Sequence, residues 1–178
     1  MEKNARKIEL PAGVEANVSG MSVTLKAGSR SVSKTFSAEG VQIAKTGNAI
    51  VLTADSASNR YVSRMNAMVS HIENLAKGTQ QDFQYRMAVV FSHFPMTVNV
   101  KDNVVEINNF LGEKKARRAK IIGGCKVSVK GKEVIVSGSN KEMVGQTAAN
   151  IEGAARVVGR DKRVFQDGIF IVSKAKGN

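Results

Sequence analysis

Two clusters of fixed positive charge are the residues of this chain best equipped for chemistry. In Gly112-Glu113-Lys114-Lys115-Ala116-Arg117-Arg118-Ala119-Lys120, five cations fall within seven residues. Charges so close repel one another unless they are solvated or meet anions, and phosphate contact explains them better than a bare solvated loop. The second cluster is Arg156, Arg160, Lys162 and Arg163, with Lys174 and Lys176 extending it into the tail. Arginine offers a planar fork that matches phosphate oxygens. Asp161 is placed to pair locally and orient one arginine. Arg156 is also accounted for by the dipole of a preceding helix, but Arg160, Lys162 and Arg163 lie beyond that helix. The segment then enters Asp167-Gly168, read as a structural turn, and the apolar strand Ile169–Val172.

Composition agrees with a polyanionic partner. The 178 residues carry a net charge of +12, which favours nucleic acid, anionic membrane or acidic protein. Residues 1–90 hold 11 Lys and Arg against 7 Asp and Glu, whereas residues 91–178 hold 16 against 8. The polyanion-facing half is therefore the second. With 5% aromatic residues and no Trp, the chain is not built to stack many bases. A hydrophobic content of 42% allows a core without disulfide or metal.

Catalytic and metal-binding constellations are not expected. Cys125 is the one cysteine, and its alternation with Val127 and Val129 reads as a buried apolar thiol. Gly123-Gly124-Cys125 lacks the Lys-Ser/Thr pair and following helix of a phosphate loop, so a strand end or bulge is expected. His71 and His93 have no partners at ligand or relay spacing, and the carboxylates are scattered among cations. No cofactor is expected. No apolar run has the length of a membrane span, and Met1–Arg6 shows no apolar signal core. The lone thiol fits a reducing cytoplasm.

The elements that must carry the clusters repeat. Val62, Met65, Met68 or Val69, Ile72 and Leu75 share a helical face, as do Met143, Val144, Ala148, Ile151 and Ala155. Helices are expected near 58–77 and 140–156, the second opened by a Ser139/Glu142 capping box. Strands are expected around Val14–Val18, Met21–Leu25, Val41–Ile43, Ile50–Leu52, Val98–Val100, Val104–Ile107, Lys126–Val129, Val134–Val136 and Ile169–Val172. The pattern from Val41 to Leu52 returns from Cys125 to Val136, 84 positions later, and each copy leads into a helix. Asn17-Val18 matches Asn99-Val100, and His71-Ile72-Glu73 matches Asn150-Ile151-Glu152. The expected fold is α+β: two tandem similar domains from an internal duplication, residues 1–82 and 83–178, each a small, mainly antiparallel sheet packed on one helix. The polar stretch 78–82 is the expected joint. Phe83-Gln84 also echoes Phe165-Gln166.

Asn109 through Arg118, Gly145 through Glu152 and Gly159 through Phe170 resemble the archaeal and eukaryotic branch of the universal large-subunit ribosomal protein L-six family, and Ile8–Val14 resembles its first strand. The resemblance spans essentially the whole chain. Two departures stand out: Phe170 where a Tyr is usual, and Gly153 where a Gln is common, which would remove an RNA contact. The resemblance implies a non-catalytic protein of the cytoplasmic ribosome. Its basic second domain would bind large-subunit ribosomal RNA near the sarcin–ricin region and the docking site of translation GTPases. Its partners would be that RNA, neighbouring ribosomal proteins and translation factors, without a membrane. The rRNA-facing positions are expected at Lys114, Lys115, Arg117, Arg118, Lys120, Arg160, Lys162, Arg163 and Lys174. A free-standing RNA-binding regulator is the alternative. An enzyme acting on nucleic acid would need a carboxylate or histidine pair within the basic surface. A membrane-surface protein would need its charge on one helix, whereas here it lies mostly in loops.

Overall fold

Period-two alternation of apolar residues builds thirteen described strands, and period 3.6 builds two helices. The computed structural model describes residues 4–37 and 39–174, so Lys176 of the expected basic tail lies outside it. The chain divides into two units, Met1–Gln81 and Asp82–Asn178.

In the first unit, β1 (Ala5–Glu9), β2 (Glu15–Ser19), β3 (Ser22–Ala27), β4 (Arg30–Thr35), β5 (Val41–Thr46) and β6 (Ala49–Ala54) precede α1 (Asn59–Gln80). They form two antiparallel three-stranded sheets, ordered β1-β6-β5 and β2-β3-β4. The helix presents Met65, Met68, Ile72 and Leu75 to a core containing Val23, Leu25, Ile50 and Leu52.

In the second unit, β7 (Phe83–Val90), β8 (Thr97–Lys101), β9 (Val104–Asn108), β10 (Arg117–Lys120), β11 (Lys126–Lys130) and β12 (Glu133–Gly138) precede α2 (Lys141–Ala154) and β13 (Gly168–Ser173). The sheets are ordered β10-β9-β8 and β11-β12-β7-β13. Val144, Ala148 and Ile151 of α2 join Met87, Val105, Ile107, Val134, Val136 and Ile169 in the core.

The duplication holds at the level of register. Ile43 faces Leu52 in β5–β6, and Val127 faces Val136 in β11–β12, each 84 positions on. Ile72 and Ile151 are both fully buried. Each helix serves two small sheets, where the sequence pattern led us to expect one. The pairing that separates them is between distant strands and leaves no local signature.

Three differences distinguish the copies. Gly28-Ser29 alone joins β3 to β4, whereas residues 109–116 join β9 to β10. α1 continues from Ile72 to Gln80, whereas α2 stops at Ala154, three residues past Ile151. The long segment 155–167 then leads to β13, an edge strand added beyond β7, with a register shift between Ile171 and Ser173. Phe83 opens a strand while Phe165 lies in a loop, so that echo has no structural counterpart.

Several expectations are corrected. α1 runs three residues further than expected, to Gln80, because Gly78 and Thr79 are buried and the Thr79 hydroxyl donates to Ala76 O, which leaves Gln81 and Asp82 of the stretch 78–82 between α1 and β7. Asn140, not Ser139, caps α2, its side chain accepting from the Glu142 N–H. Cys125 lies just before β11 and is only half-buried. Where a strand end or bulge was expected, Gly123 and Gly124 form a turn with positive φ in the connection between β10 and β11.

Ile151→Ala removes a fully enclosed side chain, and a cost of about 2–5 kcal/mol is expected in urea unfolding of the second unit. Ile72→Ala should destabilise the first unit by a similar amount, and the two losses should add.

Candidate nucleic-acid interface

The second basic cluster and Lys114 and Lys115 of the first occupy the segments by which the second unit departs from the first; the other cations of the first cluster follow on β10. The β9–β10 connection is stiff. Asn109, Leu111 and Gly112 all have positive φ, which for Leu111 costs on the order of 1 kcal/mol. Asn109 Nδ2 donates to Pro95 O (2.9 Å), and Phe110 is buried as a plug beneath the loop. Beyond it Lys114 and Lys115 project into solvent.

Arg117 departs from the expected phosphate-binding role. Its Nε and Nη2 donate to Glu113 Oε2 (2.9 Å) and Oε1 (2.6 Å), and its Nη1 donates to the carbonyls of Ala154 (3.0 Å) and Arg156 (2.8 Å). Its guanidinium carbon lies 4.1 Å from the Phe110 ring centre. A cation thus satisfies carbonyls at the C-terminus of α2, where the helix dipole favours it. The hydrogen bond from Arg117 holds the Glu113 carboxyl below its usual range, with further help from the Arg160 charge. The two basic loops are therefore neighbours, tied by Arg117.

The remaining cations of the first cluster lie on or near β10, which was hidden from sequence reading by its charge. Ala119 faces the core while Arg118 and Lys120 point outward. Arg118 and Lys101 share the Glu106 carboxylate, at 3.2 and 3.1 Å, leaving net positive charge; Lys101 is the larger cause of that carboxyl's lowered pKa. Arg118 and Lys120 stay exposed.

The second loop is held at its base. Asp161 O accepts from the N–H groups of Val164 and Phe165, forming the turn. The Asp161 carboxylate takes Nε and Nη2 of Arg163, fulfilling the expected local pairing, while 91% of the Arg163 side chain remains exposed. Arg160 lies over the Phe165 ring at 4.9 Å, and Phe165 stacks on His93 at 4.7 Å. Lys162 and Lys174 are exposed.

Asp167 and Gly168 do not make the turn, which lies at 162–164. Asp167 is instead a buried anchor: one oxygen accepts from the backbone N–H groups of Ser92 and His93, the other lies 2.9 Å from His93 Nδ1. Burial alone would raise its carboxyl pKa, but these hydrogen bonds outweigh burial and hold it below the ordinary value. Gly168 opens β13.

A groove of about 690 Å³ lies between the end of α2, this loop and β13. Gly153 and Phe170, the two departures from the family pattern, both line it. At its margin Glu152 Oε1 accepts from the Ile171 N–H of the edge strand (3.1 Å). Apart from Val90, the groove's walls come from residues 149–170, which the fold turns back from helix through loop to edge strand, a reversal that left no periodic signal in the sequence.

The pattern of the family described as Ribosomal protein L6 matches residues 94–168, the span that holds both inserted loops. The large ribosomal subunit protein uL6 of Methanococcus vannielii is 44% identical over 95% of this chain and 93% of its own length. That of Sulfurisphaera tokodaii is 43% identical over 94% and 91%, and that of Thermoplasma acidophilum 41% over 98% of each. The chain belongs to the uL6 family of large-subunit ribosomal proteins.

Members of the uL6 family are not enzymes. Ser92, His93 and Asp167 resemble a relay only superficially, because Ser92 Oγ and Asp167 approach the same ring nitrogen, Nδ1, whereas a relay uses both nitrogens. Among the described residues, no group of three or more His, Cys, Asp or Glu is placed to hold a metal. No described helix is long and apolar enough to cross a membrane.

Two outcomes are expected. Arg117→Ala should destabilise the second unit by about 2 kcal/mol in denaturant titration, because it strands helix carbonyls and a carboxylate; Lys114→Ala should leave stability unchanged. The lowered Asp167 pKa contributes stability that is fully present above the unfolded value near pH 4 and lost as pH falls through the folded one. Urea midpoints measured from pH 6 to pH 2.5 should therefore decline, and Asp167→Asn should flatten part of that decline.

Proposed function

We propose that this chain is a structural constituent of the large ribosomal subunit in the cytoplasm. Its second domain, residues 83–178, grips large-subunit rRNA near the sarcin–ricin region and the docking site of translation GTPases. Lys114, Lys115, Arg118, Lys120, Arg160, Lys162, Arg163 and Lys174 neutralise phosphates. Arg117 positions the two loops that carry most of them. One observation carries this reading: the basic loops 109–116 and 155–167 are present in only one copy of the duplicated scaffold, and Arg117 binds them into one surface. With few aromatic residues, recognition rests on RNA shape and backbone more than on base edges. The first domain, residues 1–82, is left for neighbouring ribosomal proteins and translation factors.

Affinity for an rRNA fragment containing the sarcin–ricin region, measured against salt, tests the assignment. Replacing Arg160, Lys162 and Arg163 together by Gln should flatten the log–log slope by roughly two to three units, at about 0.7–0.9 per phosphate. An unchanged slope would remove this surface from the interface. Co-sedimentation with large subunits through a high-salt wash separates this function from that of a free-standing RNA-binding regulator.

A further inference from the structure

We propose that the groove between the end of α2 and β13 receives one unstacked nucleobase of the bound rRNA. The inference rests on the rRNA-binding reading and extends it from phosphate to base.

The groove combines two surfaces that water alone does not favour together. Its wall holds Phe170, which is 46% exposed, with Val90 beside it at 42%. Its rim holds Arg156 and Lys162. Phe170 is seated on the backbone: a Cβ at Gly168 would fall 2.8 Å from its ring. One side of the ring thus rests on β13 while much of the rest stays open. At Gly153 a Cβ would meet nothing within 4 Å, so the floor beside the helix is clear. Clefts of roughly 300–1,000 Å³ suit ligands the size of a nucleoside.

The chemistry of the lining selects among occupants. Glu152 and Asp167 also border the groove, and both are held internally, by Ile171 N–H and by the Ser92–His93 turn. Two fixed carboxylates disfavour an acidic side chain inside. A nucleobase is neutral and flat, so it can lie against Phe170 while its phosphate stays at the rim with Arg156 and Lys162. Stacking of this kind tolerates any base, because each has a π-face.

The test uses the full chain, deproteinised large-subunit rRNA and a salt series, with Gly153→Leu to fill the groove and Phe170→Ala to remove the stacking surface. Both should weaken binding roughly 5- to 100-fold at an unchanged salt slope, since stacking releases no counterions. Gly153→Leu has open space and better helix propensity, so its melting temperature should not fall and a loss of affinity cannot be unfolding. Wild-type affinity in both variants overturns the proposal, while a flattened slope in the triple Gln variant would leave the phosphate-binding reading standing. Wild-type affinity for naked rRNA with weakened retention only in subunits rebuilt with other ribosomal proteins would assign the groove to a protein side chain, and also overturn it.

Discussion

The Arg117 guanidinium is the joint on which the second unit's surface depends. It meets the Glu113 carboxylate, the carbonyls of Ala154 and Arg156 and the face of Phe110. The partners come from two pieces: Glu113 and the buried Phe110 from the inserted β9–β10 loop, and the two carbonyls from the end of α2. A partly buried cation is stabilising when its partners offset desolvation, and here four of the five guanidinium N–H groups are used on two sides of the fork. This contact keeps Lys114 and Arg160 on one surface. A lysine could not reproduce it, because an ammonium cannot bind a carboxylate bidentately while reaching two carbonyls.

The duplicated scaffold explains where such a joint can arise. Each copy satisfies its own backbone and core: register, helix face and sheet order agree down to the buried Ile72 and Ile151. The second copy then spends residues where the first economises. A two-residue turn becomes residues 109–116, and a helix that would have run on ends early and releases 155–167. The loops can bear repulsive charge and left-handed backbone because the sheets and helix beneath them are already stable. The column of Arg160, Phe165 and His93, anchored at buried Asp167, fixes the second loop from within its own unit.

What could be read in the sequence was local. Strands with alternating apolar residues, both helices and the 84-residue repeat were legible because periodicity reports which side is buried. The basic clusters were legible as charge. The division of each unit into two sheets was not, since strand pairing between distant segments has no local pattern. β10 was masked by its own cations, although Ala119 between Arg118 and Lys120 kept the strand alternation. Glu113 and Arg117 stand four residues apart, a visible hint of an ion pair, but the carbonyls that complete the site lie thirty-seven and thirty-nine residues further on. Asp167-Gly168 looked like a turn, and only the fold shows its carboxylate reaching back to Ser92 and His93.

The contact between Glu152 and the Ile171 N–H bears on the protein before it meets its partner. β13 is an edge strand, with Val172 71% exposed and Phe170 beside it. A row of open N–H and C=O groups next to apolar side chains is a template on which another copy of the chain could add a strand and begin to aggregate. The Glu152 carboxylate occupies one of those N–H groups, and the shift after Ile171 breaks the spacing of the next. A freshly synthesised molecule, present in solution before assembly, thereby carries its own guard against sticking to its siblings.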